Sequence, residues 1–164
     1  MKILVIGAST TGKTTLIKHL LSKAPELPIQ EADDVLTSLN GGTYPVDSQR
    51  KHEVLAPKMV KQILNQKSII FFTNAHYFKL KDLIEARRRS FMIILLKLPR
   101  GIMLTRNINR VKHEGYDNLA QYFDDMLRYQ DKVLEVKLVD AIIDTNRPID
   151  DVISDLGKII GINS

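Results

Sequence analysis

The residues best suited to chemistry lie near the amino end. Gly7, Ala8, Ser9, Thr10, Thr11, Gly12, Lys13 and Thr14 complete the pattern G-x-x-x-x-G-K-[ST]. Glycines let the main chain wrap closely round an anion, and successive N–H groups opening onto a helix N-terminus make a concave positive site. Lys13 adds a point charge that reaches outer phosphates, and the Thr14 hydroxyl is a hard oxygen suited to a Mg²⁺ shell bridging two phosphates. Thr15 follows and continues the helix. The flanks agree: Lys2–Ile6 is an apolar run of strand length, and Leu16, Ile17, Leu20 and Leu21 share one helical face. The plainer alternative is a glycine-rich turn capped by Thr11 with a solvated lysine.

A second cluster is Glu31, Ala32, Asp33 and Asp34. Asp33 is 20 positions beyond Lys13, so one helix and one strand return the chain to the same edge and bring a carboxylate opposite the phosphate loop. Asp33 also suits a helix N-cap ahead of Val35–Leu39. Arg106 and Arg110, four apart on a helix beginning near Pro99, emerge on one face while Leu104, Ile108 and Val111 occupy another. That cationic face either neutralises phosphate or is simply solvated. Thr73, Asn74 and His76 follow an apolar run and fall on the ligand edge, whereas His19, His52 and His113 show no metal-ligand spacing. Arg87, Arg88 and Arg89 close a helical stretch, where positive charge complements the dipole.

These residues need elements to hold them. Near-continuous apolar runs at Lys2–Ile6, Ser68–Phe72, Phe91–Leu96 and Val139–Ile143 read as strands buried on both faces, with Pro28–Ala32 a weaker fifth. Helical spacing predicts a helix over Leu119–Leu134 and a last one over Ile149–Ile160, led by Pro148 and by Asp150 and Asp151 in its first turn. Gly115 and Asp117 read as the stop and start of adjoining helices. Asn40–Ser48 carries turn residues and leads to a helix bearing Val54, Leu55, Met59, Ile63 and Leu64. Alternating strands and helices predict an α/β fold: a doubly wound, mostly parallel five-stranded sheet with helices on both faces, ligands binding beyond the strands' carboxyl ends.

Composition narrows the classes. A chain of 164 residues suits one domain. Hydrophobic residues at 44% and charged residues at 26% exclude a disordered chain. With Lys plus Arg at 24 and Asp plus Glu at 19, the net charge of +5 fits an anionic ligand and is modest for a dedicated nucleic-acid binder. The absence of cysteine removes disulfides, thiolate metal sites and a cysteine nucleophile. Ile3–Ile6 is too short for a signal-peptide core, and Phe91–Leu96 falls far short of the roughly 20 residues of a membrane helix, so a cytoplasmic protein is expected.

The guanine-reading N-K-x-D motif is missing at Thr73–His76 and Thr145–Pro148, and the run Phe71–Asn74 ends without the carboxylate a large ATPase would place there. With the phosphate loop, the acids after the next short strand, the arginine-bearing helix and the closing strand, loop and helix over Val139–Ile160, the sequence resembles the small P-loop kinases. These are the adenylate, shikimate, gluconate, nucleoside and polynucleotide kinase group. The resemblance implies ATP and Mg²⁺ as cofactors and transfer of the γ-phosphoryl group to a small acceptor, a nucleoside, nucleotide or similar metabolite. It makes Gly7–Thr15 the nucleotide-binding loop, Thr14 and Asp33 the metal contacts, and Lys13, Asp33, Arg106 and Arg110 the catalytic set. Residues 99–117 become a short lid, with Arg100 a further candidate, residues 40–66 an acceptor-binding insert, and Asp144–Pro148 the adenine-side loop. Two other readings stand beside it: a nucleotide-binding regulatory or partner-binding module with little activity, and a 5′-hydroxyl polynucleotide kinase drawing on Arg87–Arg89.

Overall fold

A computed structural model describes residues 1–162. Its centre is a five-stranded parallel sheet in the order β2-β3-β1-β4-β5: β1 Lys2–Gly7, β2 Ile29–Glu31, β3 Ile69–Asn74, β4 Met92–Lys97 and β5 Ala141–Asp144. Side chains alternate across each strand, and the sequence supplies apolar residues to both faces. Leu4, Ile6, Phe71, Ile93 and Leu95 face one way; Ile3, Val5, Ile70, Phe72, Ile94 and Leu96 face the other.

Each face is covered by helices whose apolar stripes match it. On the first lie α2 (Ala32–Leu39), α3 (Ala56–Leu64), α4 (Leu80–Arg88) and the carboxyl half of α6 (Phe123–Glu135). The second receives α1 (Lys13–Lys23) and α7 (Ile149–Ile160), through Leu16, Leu20, Val152, Ile153, Leu156 and Ile160. The helix α5 (Arg100–Glu114) packs with α6 over the carboxyl edge, where Ala8, Ala75, Leu98, Met103 and Phe123 form a small separate core.

The doubly wound α/β expectation is met, with all strands parallel. Boundaries shift for local reasons. The strand after α6 begins at Ala141, because Asp140 turns its carboxylate onto the N–H of Ile93 and onto Arg87. Helix α6 starts at Phe123 after a short 3₁₀ turn, Ala120–Tyr122, whose Ala120 N–H is capped by Asn118. Asn118, not Asp117, therefore starts that segment, while Gly115 does end α5 at φ 71. A wider π-helical turn, Arg50–Leu55, leads into α3 and leaves Val54 exposed.

Registry sets the functional edge. Gly7 is level with Asn74 on one side and Leu96 on the other, Glu31 with Phe72, and Lys97 with Asp144. The strand ends thus form one rim, and β1, flanked by β3 and β4 that follow it later in the chain, marks the switch point where α/β sheets bind ligands.

Phe72 is fully buried in β3, so Phe72→Ala should lose about 3–5 kcal/mol of stability in denaturant titration. Ile142, on the edge strand β5 and 54% exposed, should accept threonine within about 0.5 kcal/mol; equal losses at the two positions would contradict this packing.

Candidate functional site

β1 ends at Gly7, and the chain turns through Ala8–Gly12 into α1. Two residues make the turn in left-handed backbone, Thr10 at φ 72 and Gly12 at φ 88. Gly12 tolerates this freely, whereas a β-branched residue there costs about 1–3 kcal/mol. Gly12 is also the N-cap of α1; no side chain caps the helix and its first turn holds no acid, so its leading N–H groups and positive dipole end remain open to an anion. Thr11 is turned inward, donating its hydroxyl to the Ala8 carbonyl at 2.8 Å rather than capping the helix.

Lys13 is 8% exposed, and its ammonium donates to the carbonyls of Gly7 and Ala8, each at 3.0 Å. Burial brings its pKa down to about 8; the carboxylates of Glu31 and Asp33 oppose that fall, and the charge of Arg110 adds to it. The ammonium's hydrogen bonds thus go to neutral carbonyls, while the two carboxylates act on it through their charge alone.

The Thr14 hydroxyl donates to Glu31 Oε1 at 3.0 Å. Sequence reasoning paired Thr14 with Asp33 at the metal position; in the structure the acid that meets Thr14 is Glu31. The missed signal is that Glu31 is the terminal residue of β2, in register with Phe72, so it reaches the rim before the helix begins. Glu31 is also the backbone N-cap of α2, which removes Asp33 from that role: Asp33 lies in the first turn and makes no capping bond. Its Oδ1 is buried with no hydrogen-bond partner. Burial pushes the pKa of Asp33 up, against Lys13 and Lys51, which favour its charged form. The Glu31 carboxyl is raised as well, first by burial, with the Thr14 bond opposing.

One cleft of about 1600 Å³ runs along the rim and takes in the loop from Ser9 to Thr15, Glu31, Asp33, Arg106 and Arg110. Arg110 sits over the Tyr116 ring at 4.0 Å and lines the cleft. Arg106 instead donates to the main chain, to Thr10 O at 3.0 Å and Thr145 O at 2.9 Å. Arg100 pairs with Asp124 on the exposed side of α5 and does not line the cleft. At the end of β3, Thr73 is buried and Asn74 lines the cleft, followed by His76 at φ 85. Burial lowers the pKa of His52 and His76; the first stacks near Tyr77 and the second near Tyr129, at centroid distances of 5.4 Å. Lys51 lies over the Tyr44 ring on the same wall. On the other flank are Thr145, Arg147, Ile149 and Val152. Arg87, Arg88 and Arg89 lie at the opposite edge, before β4, and are engaged with Asp140 and Glu85.

Gly7 has no room for a side chain: an added Cβ would stand 2.5 Å from Thr11 Oγ1 and 3.2 Å from Leu96 Cβ. Gly7→Ala should cost about 1–3 kcal/mol, read as roughly 2–4 °C of Tm for each kcal/mol. It should also weaken anion binding; an unchanged Tm with full nucleotide affinity would contradict the geometry.

No protein-family model matches the sequence, and no curated protein matches it. Solved structures do match in shape. Shikimate kinase from Acinetobacter baumannii in complex with shikimate aligns with a TM-score of 0.73 at 18% identity, covering 98% of this chain and 93% of that one. Shikimate kinase from Bacteroides thetaiotaomicron gives 0.70 at 15% identity, covering 98% of each chain. A gluconokinase from Sinorhizobium meliloti gives 0.60 at 13% identity, covering 99% and 97%. Strand order, phosphate loop and these alignments over nearly full length together give the chain the fold of the small P-loop kinases.

Proposed function

We propose that the protein is an ATP-dependent kinase that transfers the γ-phosphoryl group of Mg-ATP to a hydroxyl of a small acceptor, a nucleoside, nucleotide or comparable metabolite. The observation that carries this reading is the place of Asp33: its carboxyl lies beside Tyr44 and lines the cleft that also holds Lys13, Thr14 and Arg110. An acid beside the phosphate loop that leaves the Thr14 hydroxyl to Glu31 is placed to serve an acceptor hydroxyl, a need that a module only binding nucleotide does not have. Polynucleotide substrates lose their support, since Arg87–Arg89 are ion-paired away from the cleft.

The donor set suits Mg²⁺. Thr14 would offer a hydroxyl and Glu31 a carboxylate, both hard oxygen donors, to such an ion. Among the described residues no three acids or histidines form a group able to hold a metal by themselves. Held there, the ion would supply positive charge to neutralise phosphate.

The chain's own residues do the rest. Open N–H groups of the loop and of α1 take the phosphate oxygens, and Lys13 exchanges its two carbonyls for them. The Asp33 carboxylate accepts a hydrogen bond from the acceptor hydroxyl and orients it. As the hydroxyl oxygen bonds to the γ-phosphorus, the bond from that phosphorus to the β–γ bridging oxygen breaks. The hydroxyl proton passes to Asp33, made more basic by burial, and ADP departs with the electron pair. Arg110 stands where charge spreads over the transferring group. The wall from Tyr44 to Tyr77 is assigned to the acceptor and the loop Thr145–Arg147 to the base.

The decisive assay follows label from γ-labelled Mg-ATP to a panel of nucleosides, nucleotides and sugars. Lys13→Ala should cut kcat/KM by about a hundredfold or more while leaving Tm unchanged or raised, because it removes a buried charge. Asp33→Asn should keep Mg-ATP affinity within about threefold and lower kcat by roughly a hundred- to ten-thousandfold. Label transfer at the parental rate by either variant would defeat the assignment.

The pH profile has a definite sign. Lys13 must be charged to bind phosphate, and its free-protein pKa is about 8, so kcat/KM for Mg-ATP should fall as pH rises through about 8. On the acid side the loss should set in above the ordinary carboxylate range, as the raised acids Asp33 and Glu31 take up protons. A profile flat to pH 9 would contradict the lysine's role.

A further inference from the structure

Arg106 is committed to the main chain, and the two carbonyls it holds belong to different parts of the nucleotide cleft. Its guanidinium spans Thr10 O in the phosphate loop and Thr145 O in the loop after β5, which is itself anchored by the Thr145 hydroxyl on Lys97 O at 2.9 Å. Thr10 stands in left-handed backbone at φ 72, a region a β-branched residue avoids. The bonds made within the loop, from the Thr11 N–H and hydroxyl to Ala8 O and from the Lys13 ammonium to Gly7 O and Ala8 O, hold its first residues and do not reach the Thr10 main chain. The Thr10 hydroxyl, buried without a partner, does not hold it either. The restraint comes from outside, through a side chain 96 residues further along the chain.

We propose that Arg106 is a positioning residue, a bridge between two carbonyls that keeps the Thr10 turn left-handed and the phosphate and base loops at a fixed separation. Released, Thr10 returns to negative φ, the peptide after it rotates, and the N–H groups leading into α1 no longer converge on one point. Arg106 thereby acts on the nucleotide through the loop, which leaves Arg110 as the arginine of α5 free to meet the transferring group. The inference rests on the nucleotide-binding reading of the cleft and goes beyond it by assigning what holds the cradle in shape.

Titration calorimetry with two probes, Mg-ATP and inorganic tripolyphosphate, tests it on three variants. R106M keeps the packing of the stem and loses the donors, and should lose at least tenfold in affinity for both probes. Adding T10G to R106M should recover most of that loss, because glycine accepts positive φ without help. R106K, which keeps the charge but cannot span both carbonyls, should resemble R106M, and it carries the comparison should R106M fail to fold. An arginine acting only by stacking on the base would weaken Mg-ATP and leave tripolyphosphate untouched, and T10G would repair nothing; either result overturns the proposal. Binding of neither probe by the parent protein would overturn the nucleotide reading itself, an outcome distinguishable from parental binding that R106M and R106K leave unchanged.

Discussion

The arrangement depends on one buried ammonium. Lys13 is removed from water and held by two neutral carbonyls at the end of β1, which offset its desolvation only in part. Neighbouring structure is shaped around that compromise. Gly7 must lack a side chain for the loop to fold back on the strand, and Thr11 must turn its hydroxyl inward to the carbonyl of Ala8, which Lys13 shares.

Charge around it is graded rather than uniform. Glu31 and Asp33 favour the ammonium while Arg110 works against it, and the open end of α1 adds fixed positive potential. Lys13, Arg110, the start of α1 and the two acids all line the same cleft. Those acids divide by position: Glu31, at the end of a strand, reaches the Thr14 hydroxyl, and Asp33, two residues on in the first turn of α2, lines the cleft without meeting it. Two side chains two residues apart thus serve different chemistry because a strand passes into a helix between them.

Sheet and phosphate loop were legible in the sequence because both rest on local patterns. Buried parallel strands must be apolar on both faces, and β1, β3 and β4 are; the loop has fixed spacing between known flanks. Edge strands read less well, β5 starting late where Asp140 is drawn to Ile93 N–H and Arg87. The divergence of Glu31 from Asp33 hung on a single boundary residue, beyond the reach of periodicity. Arg106 and Arg110 share a helix face by spacing, yet one is taken by carbonyls 96 and 39 residues distant, a fact held only in tertiary packing. The same is true of Arg100, whose partner Asp124 comes from the next α-helix.

Titration of the Lys13 side-chain nitrogen by NMR, in the free protein and with a non-hydrolysable Mg-ATP analogue, tests the central claim most directly. The account predicts a midpoint near pH 8 in the free protein, moving upward by more than one unit once phosphate oxygens replace the carbonyls of Gly7 and Ala8. A midpoint near that of a solvated lysine in the free protein, or one unmoved by the nucleotide, would contradict it.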